Sequence, residues 1–262
     1  MRGAWLTAGA VVTVAALVLS SVGLWRGFAR ARTPTDVTMR SIPFEYPEVR
    51  IKAGKGQVNL FILSGRAGEL LIHRSLRWSR DRPTVTEDWD TRTRTLRLDA
   101  VCPGFDQPTG PICQADYMLY VPPETDLEAG TSGGDLMVDD LFGDVRLTSV
   151  SGDIRVRSVS GDLWARTGTG LVDAKELSGG GKADVEVGSG DVDLSFSDVP
   201  TEVKAVVRTS GDVSVNVPRD VYDVTTVAAN TTINVERKPG TARKITARAP
   251  GGAVSVIAVC CE

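Results

Sequence analysis

A glycine-aspartate pair followed by an aliphatic residue returns every nine residues through the middle of the chain. The steps are Gly134-Asp135-Leu136, Gly143-Asp144-Val145, Gly152-Asp153-Ile154 and Gly161-Asp162-Leu163. Aliphatic residues recur two places before the glycine (Leu141, Val150, Val159) and two places after the first aliphatic (Val138, Leu147, Val156, then Ala165). Alternation after each Gly-Asp is the period-two signature of a strand with one buried face. The Gly-Asp supplies the corner, because glycine tolerates positive φ and Asp caps its own turn. A unit this short cannot bury its apolar edge alone, whereas stacked units share a continuous core. Two units make about one coil, so the expected fold is all-β: a β-solenoid, or a closely related wrapped sheet of repeated short strands. Asp135 should then stack near Asp153, and Asp144 near Asp162.

Farther along the spacing lengthens. Gly170-Leu171-Val172 keeps the glycine and loses the Asp, and Ser178-Gly179-Gly180-Gly181 interrupts the pattern. Gly190-Asp191-Val192 and Gly211-Asp212-Val213 are 21 residues apart, and Ile233 and Val254 continue that beat. Each later coil therefore reads as two strands and two turns. The Gly-Asp solenoid is expected over 129–262, ending in Cys260-Cys261, a pair too close to bridge without strain.

The segment from Ala4 to Trp25 carries no charge, and Arg2 and Arg26 flank it. That length spans a bilayer as a helix and exceeds the apolar core of a cleaved signal. A single membrane-anchoring helix within 1–32 is expected, so the membrane is the first partner. Arg26, Arg30 and Arg32 outnumber Arg2, which by the positive-inside rule would hold the body in the cytoplasm. The cysteines argue for the opposite orientation. Residues 33–45 read as a polar linker.

An N-terminal β region is expected over 46–128, with strand-like alternation around Val49–Leu60, Leu70–Trp78, Leu96–Val101 and Tyr117–Val121. The stretch from Ser79 to about Arg92 reads as a charged loop. Cys102 and Cys113 flank a loop rich in proline and glycine, where the ends of a hairpin approach each other. A disulfide there implies an oxidising compartment; the alternative is two free thiols. No pair of Cys or His ligands with matching spacing elsewhere supports a zinc site.

These features together resemble the adhesin-like β-strand-repeat family DUF4097 of bacteria. The resemblance rests on the Ser-Gly-Asp-aliphatic steps Ser151-Gly152-Asp153-Ile154, Ser160-Gly161-Asp162-Leu163 and Ser210-Gly211-Asp212-Val213. It also rests on Trp78-Ser79-Arg80-Asp81-Arg82-Pro83, on the Cys102 to Cys113 loop, and on Tyr117 to Pro122. The match covers roughly Val49 to Val256. It implies an adhesin-like β-repeat module and brings no catalytic residues to carry over.

The net charge of −3 gives no case for nucleic-acid binding. The one histidine, His73, removes most histidine-based metal and triad schemes. Stacked corner aspartates suggest calcium, which binds a nonapeptide Gly/Asp repeat. That repeat presents several glycine carbonyls per turn, however, and this one has a single Gly with the Asp directly before the aliphatic. Solvated structural corners are therefore expected, with no metal and no cofactor. Outward positions should include Arg146, Arg155, Arg157, Trp164 and Arg166. They offer either a solvated face or a surface for an anionic envelope polymer or a glycan, with Trp164 as a stacking platform. The expected function is a membrane-anchored, extracytoplasmic, non-enzymatic module for surface binding or scaffolding. The alternatives are an envelope-sensing scaffold with a protein partner and a polysaccharide-active enzyme, which would need paired carboxylates in a groove.

Overall fold

Nearly every strand-forming stretch after residue 35 joins one wound stack of parallel strands. The computed structural model describes residues 17–22, 33–104 and 112–259. The chain divides into two units, Met1–Thr35 and Asp36–Glu262. In the first, residues 17–22 are helical. Among the described residues no helix is long and apolar enough to cross a membrane. Most of the expected span lies outside the described residues, as do Arg26, Arg30, Arg32, Cys260 and Cys261.

The second unit begins with β1 (Thr35–Phe44), β2 (Glu48–Ala53), β3 (Gln57–Ser64), β4 (Gly68–Trp78), β5 (Thr84–Asp90), β6 (Thr95–Val101) and β7 (Cys113–Val121). The repeats form β8 (Asp126–Thr131), β9 (Leu136–Leu141), β10 (Val145–Ser151), β11 (Ile154–Val159), β12 (Leu163–Thr169), β13 (Val172–Leu177), β14 (Lys182–Ser189) and β15 (Val192–Phe196). Then follow β16 (Glu202–Val207), β17 (Val213–Pro218), β18 (Val221–Asn234), β19 (Glu236–Arg237) and β20 (Lys244–Val259).

Two ladders run side by side. In the first, β8, β10, β12, β14 and β16 pair in parallel, so Leu127, Val145, Leu163, Ala183 and Val203 form one inward row. In the second, β9, β11, β13, β15 and β17 pair likewise, and Leu136, Ile154, Val172, Val192 and Val213 form the facing row. These residues are buried. Register is fixed because a one-residue slip would turn every aliphatic outward. Partners such as Val145 and Leu163 are 18 positions apart in sequence, so two nine-residue units make a coil. The two units are not equivalent, however. Val150 is 68 % exposed, while Leu141 and Val159 are buried.

Several expectations change. The coils do not stack in chain order at either end. The β2/β3 coil sits between β6/β7 and β8/β9. At the far end β20 lies between β16/β17 and β18. Val254 therefore stacks on Val213, and Ile233 on Val256. The 21-residue beat marks strands correctly and their order wrongly. The N-terminal β region is not separate from the solenoid, because β2 and β3 pair directly with β8 and β9. Residues 33–45 are no linker: they hold β1, which pairs with β4 and buries Ile42 and Phe44. The expected charged loop contains β5, antiparallel to β6.

A disulfide joins Cys102 to Cys113, with Cα atoms 5.9 Å apart. It ties the end of β6, in the first ladder, to the start of β7, in the second. Reducing it should lower unfolding stability by about 3 kcal/mol, the loop-closure entropy of a ring this short. A pair of thermal melts with and without reductant checks this. Equal melting temperatures would mean that the bridge constrains nothing.

Candidate functional site

The Gly-Asp corners come first, since they are the most repeated polar feature of the chain. At one corner Asp126 Oδ1 accepts the Asp144 N–H at 2.9 Å, Asp144 Oδ1 accepts the Asp162 N–H at 2.9 Å, and Asp162 Oδ1 accepts the Lys182 N–H at 2.8 Å. At the other, Asn59 Oδ1 accepts from Asp135, Asp135 from Asp153, and Asp153 from the N–H of Leu171. The series resumes from Asp191 to Asp212 to Ala253. Each side chain thus holds a backbone donor of the next coil. A carboxylate accepting a backbone N–H makes a charge-assisted hydrogen bond, and a buried donor without a partner is costly.

The glycines serve the same geometry. A Cβ at Gly134, Gly152, Gly170, Gly190, Gly211 or Gly252 would stand less than 3.0 Å from a backbone oxygen of the preceding coil. The column stacks coil on coil at the corner with no room for a side chain.

Repulsion between stacked carboxylates is offset by arginine. Arg155 reaches Asp153 at 2.6 Å and Asp135 at 3.4 Å. Among the described residues no group of three or more His, Cys, Asp or Glu could hold a metal ion. The corner oxygens facing the next coil are already engaged by N–H groups, so these columns act as ladders that set coil spacing. Asp153→Ala should lower stability by about 1–2 kcal/mol by orphaning the Leu171 N–H. Asp153→Asn, which keeps an acceptor, should lose much less. Neither melt should respond to a calcium chelator; a chelator-sensitive melt of the unaltered protein would restore the calcium reading.

Asn59 and Asp126 escaped the sequence search because no Gly precedes them. The signal that finds them is looser: an Asp or Asn directly before an inward aliphatic, as in Asn59-Leu60 and Asp126-Leu127.

The outward face of the first ladder carries a row in register: Arg50, Glu128, Arg146, Trp164, Asp184 and Lys204. Arg50 meets Glu128 at 3.3 Å, and Lys204 meets Asp184 at 3.4 Å. Arg166 binds Asp184 at 2.9 Å and Glu186 at 3.5 Å, and Arg208 also pairs with Glu186. The guanidinium carbons of Arg146 and Arg166 lie 4.2 and 4.5 Å from the Trp164 ring centre. Such cation–π contacts engage the ring, so Trp164 is not the open stacking platform that the glycan-binding alternative called for. Among the described residues Arg146 has no carboxylate partner. Beside this row runs a groove of about 410 Å³, lined among others by Glu48, Asp126, Asp144, Asp162, Arg146 and Trp164. Arg155 and Arg157 lie on the other ladder and take no part in it.

The end of the stack next to β6 and β7 is closed by antiparallel β5 and β4. Arg74 on β4 and Glu87 on β5 meet at 2.6 Å, with side chains only 12 % and 16 % exposed. Asp36 on β1 adds a 3.6 Å contact to Arg74. The Tyr117 phenol is buried beside this pair. Burial, and secondarily the charge of Glu87, pushes its pKa well above the ordinary tyrosine value. His73, on β4, pairs in register with Met118 and joins no catalytic grouping.

Residues 123–249 match the family described as Toastrack DUF4097. The matched segment spans β8 to the first part of β20, which includes most of both corner columns and of the Trp164 row, with Asn59, Ala253 and Arg50 outside it. Comparison with curated proteins finds no match. Among solved structures, a candidate adhesin from Bacteroides fragilis is 14% identical, with a TM-score of 0.43 over 85% of this chain and 97% of that one. A candidate cell adhesion protein from Clostridium sporogenes is 11% identical, with a TM-score of 0.40 over 87% of this chain and 100% of that one. Likeness this loose carries no argument for this chain.

Proposed function

We propose that this protein is a non-enzymatic, adhesin-like module of the Toastrack kind, held at the membrane by its N-terminal segment with its body outside the cytoplasm. The observation that supports it best is the engagement of the corner carboxylates. The acids that recur often enough to suggest catalysis or calcium binding are occupied in holding backbone N–H groups of the next coil. The Cys102–Cys113 disulfide favours an oxidising compartment and hence the extracytoplasmic orientation.

Binding is assigned to the groove beside Trp164. Carboxylates and guanidinium groups line it together, which suits a neutral, hydroxyl-rich polymer better than a strongly anionic one. Polyol hydroxyls can donate to the Oδ2 atoms of Asp144 and Asp162, whose Oδ1 atoms hold the backbone N–H groups, and accept from Arg146. Arg146 is the group to test, because it has no carboxylate to satisfy. The experiment is co-sedimentation of the purified protein with isolated cell-envelope glycan. Retention of the unaltered protein is expected, with a several-fold loss for Arg146→Ala and Trp164→Ala. Turnover of the polymer would overturn the non-enzymatic reading, and equal retention of all three proteins would overturn the groove.

A further inference from the structure

The two ends of the stack are finished differently. One is closed by β4 and β5, which run antiparallel to their neighbours and carry the Arg74–Glu87 pair. The other ends in β18, whose inner edge pairs with β20 along its length. Among the described residues its outer edge is paired only at Val221 and Tyr222, by β19. From Val224 to Asn234 that edge is open, spans both ladders and contains no charged residue. An open, uncharged edge strand is a template for pairing with another chain.

The sequence of this edge points to its partner. Thr225-Thr226-Val227-Ala228-Ala229-Asn230-Thr231-Thr232 reads almost the same in both directions. An antiparallel copy of itself, centred between Ala228 and Ala229, would set Thr225 opposite Thr232, Thr226 opposite Thr231, and Val224 opposite Ile233. The alternation of faces agrees with this register. Val224, Thr226, Thr231 and Ile233 stand in register with inward Ile245, Ala247, Val254 and Val256 of β20. Thr225 and Thr232 stand over outward Thr246 and Ser255 and are exposed. In the paired edge, inward residues therefore meet inward residues, and the half-exposed Val224 and Ile233 cover each other. The two-fold axis would pass through the corner and join the first ladder of each copy to the second ladder of the other. The remaining candidate edges suit β18 less well: β5 carries Glu87, Asp88 and Asp90, and β1 carries Asp36 and Arg40.

We propose that β18 is a docking edge for a second copy of this chain, forming a two-fold, end-to-end dimer by antiparallel β18–β18 pairing. An isologous contact of this kind closes on itself, so it yields dimers and not filaments. It also doubles the length of the outward face presented at the surface.

The test uses the full chain in a mild detergent, with protein mass read by light scattering. The unaltered protein should have twice the chain mass. T225K/T232K would oppose like charges at both ends of the pairing and should be monomeric yet folded, since both positions are exposed, with a melting temperature lowered only by the loss of association and independent of protein concentration. T225K/T232E would place opposite charges across the same two contacts and should recover the doubled mass. A monomeric unaltered protein, a polymer, or a dimer indifferent to T225K/T232K would overturn the proposal. Failure of T225K/T232E to recover the dimer would overturn the register.

Discussion

Gly211→Ala should lower the stability of the body by about 4 kcal/mol, among the largest effects of any single substitution outside the buried aliphatic rows. Two costs add. The φ of Gly211 is +131°, where side-chain-bearing residues are strained, by about 1–3 kcal/mol. The new Cβ would also lie less than 3.0 Å from the carbonyl oxygen of Gly190, one coil away. That atom belongs to the backbone and cannot turn aside as a side chain would, so overpacking of about 1–3 kcal/mol follows. Gly240 supplies the control. Its φ is +81°, but nothing stands within 4 Å of where its Cβ would be. Gly240→Ala should therefore show the conformational strain alone, about 1 kcal/mol. Urea unfolding of the two variants beside the unaltered protein separates the terms. Equal losses would mean that the close approach of coils at the corner contributes nothing, and that the glycine column reflects turn geometry only.

That column was visible in the sequence because steric exclusion leaves a signature: only one residue type fits, so it recurs at the coil period. The inward rows were visible for a related reason, since burial on one face forces alternation. Other features leave no such mark. Asp140, Ser158 and Glu176 occupy the left-handed region with φ of 59°, 50° and 57°, stacked at the same place in consecutive coils. Nothing in their side chains announces it, because short polar residues and even Glu tolerate the conformation at modest cost. The order of coils was equally hidden. Any strand with aliphatic residues on one face can extend either ladder, and sequence periodicity does not say which neighbour it takes. β2 and β3 therefore read as a separate region, although their coil stacks directly on that of β8 and β9. β5 was read as a loop because its charged residues break the aliphatic alternation, although the strand closes the end of the stack.

Glu87→Leu should destabilise the body by about 3 kcal/mol, whereas Arg74→Met/Glu87→Leu together should recover most of that loss. The pair joins β4 to β5 across the closed end, nearly out of water. Removing one member leaves a charge there without its partner, at a cost of about 3–5 kcal/mol for a fully buried pair. The small remaining exposure of both side chains, and the 3.6 Å contact from Asp36, argue for the lower end. Replacing both members removes the desolvation penalty together with the attraction, so the double variant should fall within about 1 kcal/mol of the unaltered protein. The difference between single and double variants isolates the pairwise coupling. A double variant as unstable as Glu87→Leu would mean that the leucine fits poorly and the charge was not the issue. If the double variant matches or exceeds the natural protein in stability, the ion pair does not serve stability. Its role would then be to finish this end of the stack with polar groups that another coil could not cover, in contrast to the uncharged edge of β18.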